Sequence, residues 1–162
     1  MDLNAWSSVL SSWPHDWILI GGIAIFVSLD AMRSGSARAA SIALALPATL
    51  FAFNAIPQAY FLGPLLAEYT APIVHIVLFV VFFALIFFTT YRTVFGASDG
   101  GRVLQSLLIG LAATAAIVLV WIQVPALEYA WHFGDQVQAV FAPALRLWWY
   151  VAIFTSLAFA RS

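Results

Sequence analysis

Apolar residues recur along the chain in five long runs separated by short polar breaks, and each run reads as a helix able to cross a bilayer. The hydrocarbon core of a membrane, about 30 Å thick, takes roughly 20 apolar residues. Residues 17–32, WILIGGIAIFVSLDAM, form a short first run. Residues 39–67 stay apolar for longer than one helix needs, but Pro47, Asn54, Pro57, Gln58 and Pro64 interrupt them, which places the second span at 39–56. The clearest run is 71–91, APIVHIVLFVVFFALIFFTTY, where His75 is the one side chain that can charge near neutrality. Residues 103–124 and 137–160 give the fourth and fifth spans. The first and last are the least regular.

Ahead of these runs, Leu3, Trp6, Leu10 and Trp13 fall at helical spacing behind Asp2, a candidate cap. That pattern predicts an amphipathic helix lying on the membrane interface, with a frayed terminus as the alternative. The expected fold is all-α: a polytopic integral membrane protein of about five transmembrane helices with an N-terminal interfacial helix, forming one domain over residues 1–162.

Composition supports lipid as the solvent. Of the 162 residues 64% are hydrophobic and 8% charged, with a mean hydropathy of +1.00. A soluble domain carries about a quarter charged residues. Cysteine is absent, which removes disulfides, thiolate metal sites and cysteine nucleophiles together. A net charge of −1 gives no footing for nucleic acid. The opening MDLNAWSSVLSSWPHDW has no basic residue, so it lacks the charged region of a signal peptide, and the first span is expected to be retained.

Charge then orients the spans. The six basic residues are all arginines. Arg33 and Arg38 flank the first connection, Arg92 and Arg102 the third, and Arg161 follows the last span. The alternate segments carry Asp2, Asp16, Glu68, Glu128 and Asp135. Five spans put every arginine outside a helix on one side, expected to be the cytoplasm, with the N-terminus outside.

Several polar residues are candidates for chemistry. Asp30 and Arg33 share a helix face three residues apart, which suits an interfacial ion pair or, alternatively, a proton or ion site. Pro47 is expected to bend the second helix. Asn54 and Gln58 then bracket Pro57, either as the lining of a broken transporter helix or as the place where that helix ends and an interfacial segment runs on to Glu68. Small residues recur every four positions: Ala37, Ser41, Ala45 and Thr49 in the second span, and Ser106, Gly110 and Thr114 in the fourth. Such stripes let backbones approach, within one chain or between copies. Glu128, His132 and Asp135 would share a helical face with metal-ligating spacing, but a solvated loop is the commoner outcome. No nucleotide loop, nucleophile elbow or zinc-helix motif is present, so no cofactor and no enzymatic activity are expected.

Arg146 stands inside APALRLWWYVAIF. A fifth helix leaving the bilayer at Arg161 would begin near Phe141, which places Arg146 roughly 8 Å below the outer surface. A guanidinium snorkels most of that distance, and Trp148, Trp149 and Tyr150 suit the zone beneath the headgroups. Its expected partner is an outer-side carboxylate, Glu68 before Glu128 or Asp135, with a lipid phosphate as the alternative.

Two segments resemble a known family. Residues 16–41, DWILIGGIAIFVSLDAMRSGSARAAS, are similar to the opening of the colicin V production (CvpA) family: an Asp, an apolar span, then Arg and Gly with a second Arg. Arg33, Gly35 and Arg38 carry the match, although the family usually has Arg and Gly adjacent. Residues 99–116, DGGRVLQSLLIGLAATAA, resemble a later span through Arg102 and Gly110, with Ala113 and Thr114 where the family often has glycine or arginine. The resemblance implies a small bacterial inner-membrane protein linked to colicin V production, export and envelope maintenance. It supplies no catalytic residues. The expected role is an accessory or scaffold component whose partners are the bilayer and another membrane protein or a second copy. The competing expectation is a small oligomeric transporter or channel using the second helix and the outer polar cluster.

Overall fold

The computed structural model describes residues 15–60, 63–64, 68, 71–94 and 103–159. The proposed interfacial helix at 3–13, Arg102 and Arg161 lie outside the described residues. Every regular element described is a helix: α1 His15–Ser34, α2 Ser36–Ala55, α3 Pro72–Val94, α4 Val103–Gln123, α5 Pro125–Ala130, α6 Asp135–Val140 and α7 Arg146–Phe159. Short 3-10 turns at Ile56–Gln58 and Pro143–Leu145 extend α2 and precede α7. Five stretches are long and apolar enough to cross a membrane: His15–Ser34, Ser36–Gln58, Pro72–Thr93, Val103–Gln123 and Asp135–Phe159. These match the five expected spans to within a few residues.

Of the first and last spans, both expected to be the least regular, only the last is. The first span is an unbroken 20-residue helix that runs through Gly21 and Gly22. The fifth is interrupted: Phe141 (φ −103°, ψ 26°) and Ala142 (φ −55°, ψ 151°) leave helical geometry ahead of Pro143. Proline cannot donate to the turn before it and pushes its predecessor into extended backbone, so the helix restarts one turn later at Arg146.

Pro47, by contrast, lies inside α2 without ending it. The helix stops at Ala55, next to Asn54, where the second of the two expectations ended it; part of the segment expected to run on to Glu68 lies outside the described residues. The connection between α1 and α2 is Gly35 alone, with φ 88° and ψ 153°, a combination that an L side chain rarely adopts. One residue thus reverses the chain, and the two helices form a hairpin.

α4 is the centre of the bundle. It packs against α1, α2 and α7, while α3 rests mainly on α2. The small-residue stripes make these contacts possible. Ala37, Ser41, Ala45 and Thr49 are all buried, as are Ser106, Gly110 and Thr114. At the α1–α4 crossing a Cβ on Gly110 would fall 2.7 Å from the Ser28 Cα and 2.9 Å from its Cβ, so only glycine lets the two backbones meet. Hydroxyls in this apolar interior donate to their own helix four residues back: Ser41 Oγ to the Ala37 carbonyl at 2.7 Å, Thr49 Oγ1 to Ala45 at 2.7 Å, and Thr114 Oγ1 to Gly110 at 2.9 Å. Each is satisfied without a partner across the interface.

The outward faces are apolar. On α3, Ile73, Val77, Val80, Val81, Leu85 and Phe88 are exposed. Water would not favour such a surface, and hydrocarbon would.

Candidate functional site

The polar residues divide between the two ends of the bundle. One end holds Arg33, Arg38 and Arg92, which we call the basic end; the other holds Asp16, Glu128 and Asp135, the acidic end.

At the basic end Asp30 meets Arg38, not Arg33. Arg38 Nη1 donates to both carboxylate oxygens, at 3.1 and 3.3 Å, and Ser34 Oγ adds a third bond at 3.0 Å. The one-residue turn at Gly35 carries the start of α2 back beside Asp30, which a spacing rule along one helix does not anticipate. Arg33 is exposed and makes no ion pair among the described residues. The bond spans the hairpin, and its partners are about half and a quarter exposed, so it adds under about 1 kcal/mol.

At the acidic end a network joins the start of α1 to the α5–α6 connection. Asp16 accepts from the Gly134 backbone N–H at 2.7 Å and from Trp131 Nε1 at 3.3 Å. Trp121 Nε1 in turn donates to the Trp131 carbonyl at 2.9 Å. The sequence reading used Asp16 as a marker of sidedness and family likeness and missed this role; its placement beside Trp17 at the head of a span was the available signal. Glu128 and His132 come together at 3.3 Å, one helical turn apart, and the Gln138 amide nitrogen lies 3.1 Å from His132 Nε2 and donates to the Phe133 carbonyl at 2.9 Å. Asp135 stands apart as the exposed first residue of α6, away from the Glu128–His132 pair. Among the described residues no group of three or more could hold a metal ion.

Asn54 and Gln58 are exposed at this same end, and neither lines an interior path. His75 points its Nδ1 at the Ala71 carbonyl, 3.3 Å away, and sits edge-on to Phe53 with centroids 6.5 Å apart. Phe53 in turn meets Phe79 edge-on, with centroids 5.6 Å apart.

Arg146 departs most from expectation. Its position at the start of α7 places it on the stripe with Tyr150 and Ile153, one and two turns further along the face that packs on α4, where Gln123 Nε2 donates to the Tyr150 hydroxyl at 3.0 Å. The Arg146 Nε is buried and has no hydrogen-bond partner. No described carboxylate pairs with the side chain: Glu68 is exposed, Glu128 is engaged by His132, and Asp135 faces solvent. The pairing expected with Glu68 is therefore absent. Glu68→Gln should leave the melting temperature within about 1 °C of the parent, and combining it with Arg146→Leu should add no more than the sum of the single changes. A thermal-melt cycle in detergent checks this, and a rescue of Arg146→Leu by Glu68→Gln would restore the ion pair.

The interruption of the fifth span opens a groove of 590 Å³, lined by Ala139 and Val140 from α6 and by Leu145, Trp148, Trp149 and Ala152. Its shape is fixed by Trp149, which stacks on Phe141 at 4.7 Å and donates its indole N–H to the Val140 carbonyl at 2.8 Å. Trp148 lies two-thirds exposed on the rim.

No family model, curated protein or solved structure matches the chain.

Proposed function

We propose that the protein is an integral inner-membrane protein, with its N-terminus outside and its C-terminus in the cytoplasm, that acts as a non-catalytic accessory or scaffold component of an export or envelope-maintenance process. The direction of that role comes from the likeness of residues 16–41 and 99–116 to the colicin V production family. The observation that carries the scaffold reading over a transporter is the filled centre. Ala113, Ala116, Val118 and Leu119 of α4 are 0% exposed, so the middle of the bundle is occupied by close-packed apolar side chains. Asn54 and Gln58, the amides a transporter would use, face outward instead. The charge division between the two ends supports the orientation.

Two measurements test this. Because the native chain has no cysteine, single introduced thiols report sidedness directly. Ser36→Cys should resist an impermeant thiol reagent applied to intact cells, and Gln136→Cys should react; the reverse pattern inverts the topology. Purification from native membranes should then recover a second membrane protein in fixed ratio, and proteoliposomes should carry no ion or solute flux. Flux that disappears on Asn54→Ala or Gln58→Ala would overturn the scaffold reading in favour of a transporter.

A further inference from the structure

We propose that Glu128, His132 and Gln138 form an acid-released latch, which ties α6 to the end of α5 while His132 is neutral and loosens when the ring takes up a proton. The latch stands on the local geometry; that it responds to acidity outside the cell rests on the orientation proposed above.

The placement of the protons follows from which groups can only accept. Gln138 Nε2 lies 2.9 Å from the Phe133 carbonyl and 3.4 Å from Glu128 Oε1. A carbonyl and an ionised carboxylate have no hydrogen to give, so the amide turns its NH2 side, not its oxygen, toward them. The same nitrogen is 3.1 Å from His132 Nε2, which is therefore the accepting nitrogen of the ring. The one proton of the neutral ring then sits on Nδ1, directed at Glu128 Oε1 3.3 Å away. Two acceptors orient the amide, and the amide selects one tautomer of the imidazole.

A second proton has one place to go, Nε2, and there it meets the hydrogens of the Gln138 amide. Donor would face donor across 3.1 Å. Turning the amide over gives no relief, because its oxygen would then face the Phe133 carbonyl and the Glu128 carboxylate. The charged ring keeps Glu128, four residues back, through a stronger, charge-assisted bond. What is lost is the contact with Gln138, the one that crosses to α6.

The surroundings suit a sensor. The His132 side chain is 68% exposed, so protons reach it from bulk water. Among the described residues, the other titratable groups near this connection are engaged elsewhere or stand in solvent. Asp16 of α1 accepts from Gly134 and Trp131, and His75 of α3 turns to the Ala71 carbonyl. His15, Glu68, Tyr129 and Asp135 are exposed, α4 carries no ionisable side chain, and Arg146 lies on the face toward α4. Gly134 sits between His132 and Gln138 and gives its N–H to Asp16, so a loosened turn is felt at the head of the first span.

Two measurements on the full chain in detergent test the latch. Long-range nitrogen–proton spectra of the histidine rings at about pH 8 should show His132 protonated on Nδ1. A ring protonated on Nε2 would overturn the assignment at its root. Hydrogen exchange then follows the backbone amides of Val137 and Gln138, which both donate to the Gly134 carbonyl, at 3.0 and 3.1 Å. After correction for the intrinsic effect of pH, they should exchange about fivefold faster at about pH 5 than at about pH 8, the factor that one lost hydrogen bond represents. Gln138→Leu should exchange fast at both pH values, and His132→Ala should show no difference between them. His15→Gln and His75→Gln should keep the response of the parent; its loss in either would place the trigger on another ring and overturn the role of His132. Equal exchange at both pH values in the parent would overturn the latch. Labelling of Gln136→Cys from the cytoplasmic side alone would overturn the outward facing of the latch together with the orientation, while the detergent results stood.

Discussion

Gly110→Leu should lower the melting temperature in detergent by on the order of 10 °C. The reason is geometric: even the first carbon of a side chain at this position would meet the backbone of α1 at Ser28, 2.7 Å from its Cα. Backbone cannot rotate aside as a side-chain tip can, so α1 and α4 must separate. Overpacking costs about 1–3 kcal/mol where side chains can yield, and this site belongs at the upper end or beyond. At about 2–4 °C per kcal/mol for a chain of this size, the stated shift follows. Gly110→Ala should produce a smaller loss of the same kind, and Ser28→Gly in that background should return part of it, because the two positions share one contact. Gly22→Ala is the control, since nothing lies within 4 Å of a Cβ there. It should match the parent or exceed it slightly, alanine being the better helix former. A Gly110→Leu protein that melts with the parent would mean that α1 and α4 do not touch.

Gly35→Ala should cost about 1–3 kcal/mol although it collides with nothing. The penalty is conformational. At φ 88° and ψ 153° the residue occupies a region that is essentially glycine's alone, and no second residue shares the reversal between α1 and α2. Thermal melts of Gly35→Ala and of Asp30→Asn separate the covalent turn from the ion pair across it. The first change should be several-fold larger than the second, because the Asp30–Arg38 pair is reached by water. Equal losses would mean that the carboxylate, rather than the glycine, closes the hairpin.

The five spans were legible because length and apolarity set them, and both are properties of consecutive residues. The stripes at Ala37–Thr49 and Ser106–Thr114 were legible for the same reason, with a period that the helix repeats. That they serve contacts within one chain could not be read, since periodicity marks a face and not its neighbour. Asp30 illustrates the limit. Its nearest arginine in sequence is Arg33, but a turn of one residue brings Arg38 to it, and the turn depends on a backbone angle at Gly35 that the sequence does not print. The Asp16–Gly134 bond spans most of the chain and has no local trace at all. For Arg146, the sequence offers partners only through the abundance of acids in the segments expected on its side. Abundance is not proximity: Glu68 and Asp135 are exposed, and Glu128 is engaged by His132.

The central place of α4 has a consequence for the order in which the protein can be made. Ribosomes deliver helices from the N-terminus, so α1, α2 and α3 emerge before the element on which α1 and α2 chiefly pack. Until residue 103 and beyond are synthesised, the Ser28 surface lacks the Gly110 backbone it packs against. Only the Gly35 hairpin and the α2–α3 contact can form early. Nascent chains halted before α4 should therefore be the ones that a membrane protease or an insertion chaperone captures, and those released just past Gln123 should already escape it.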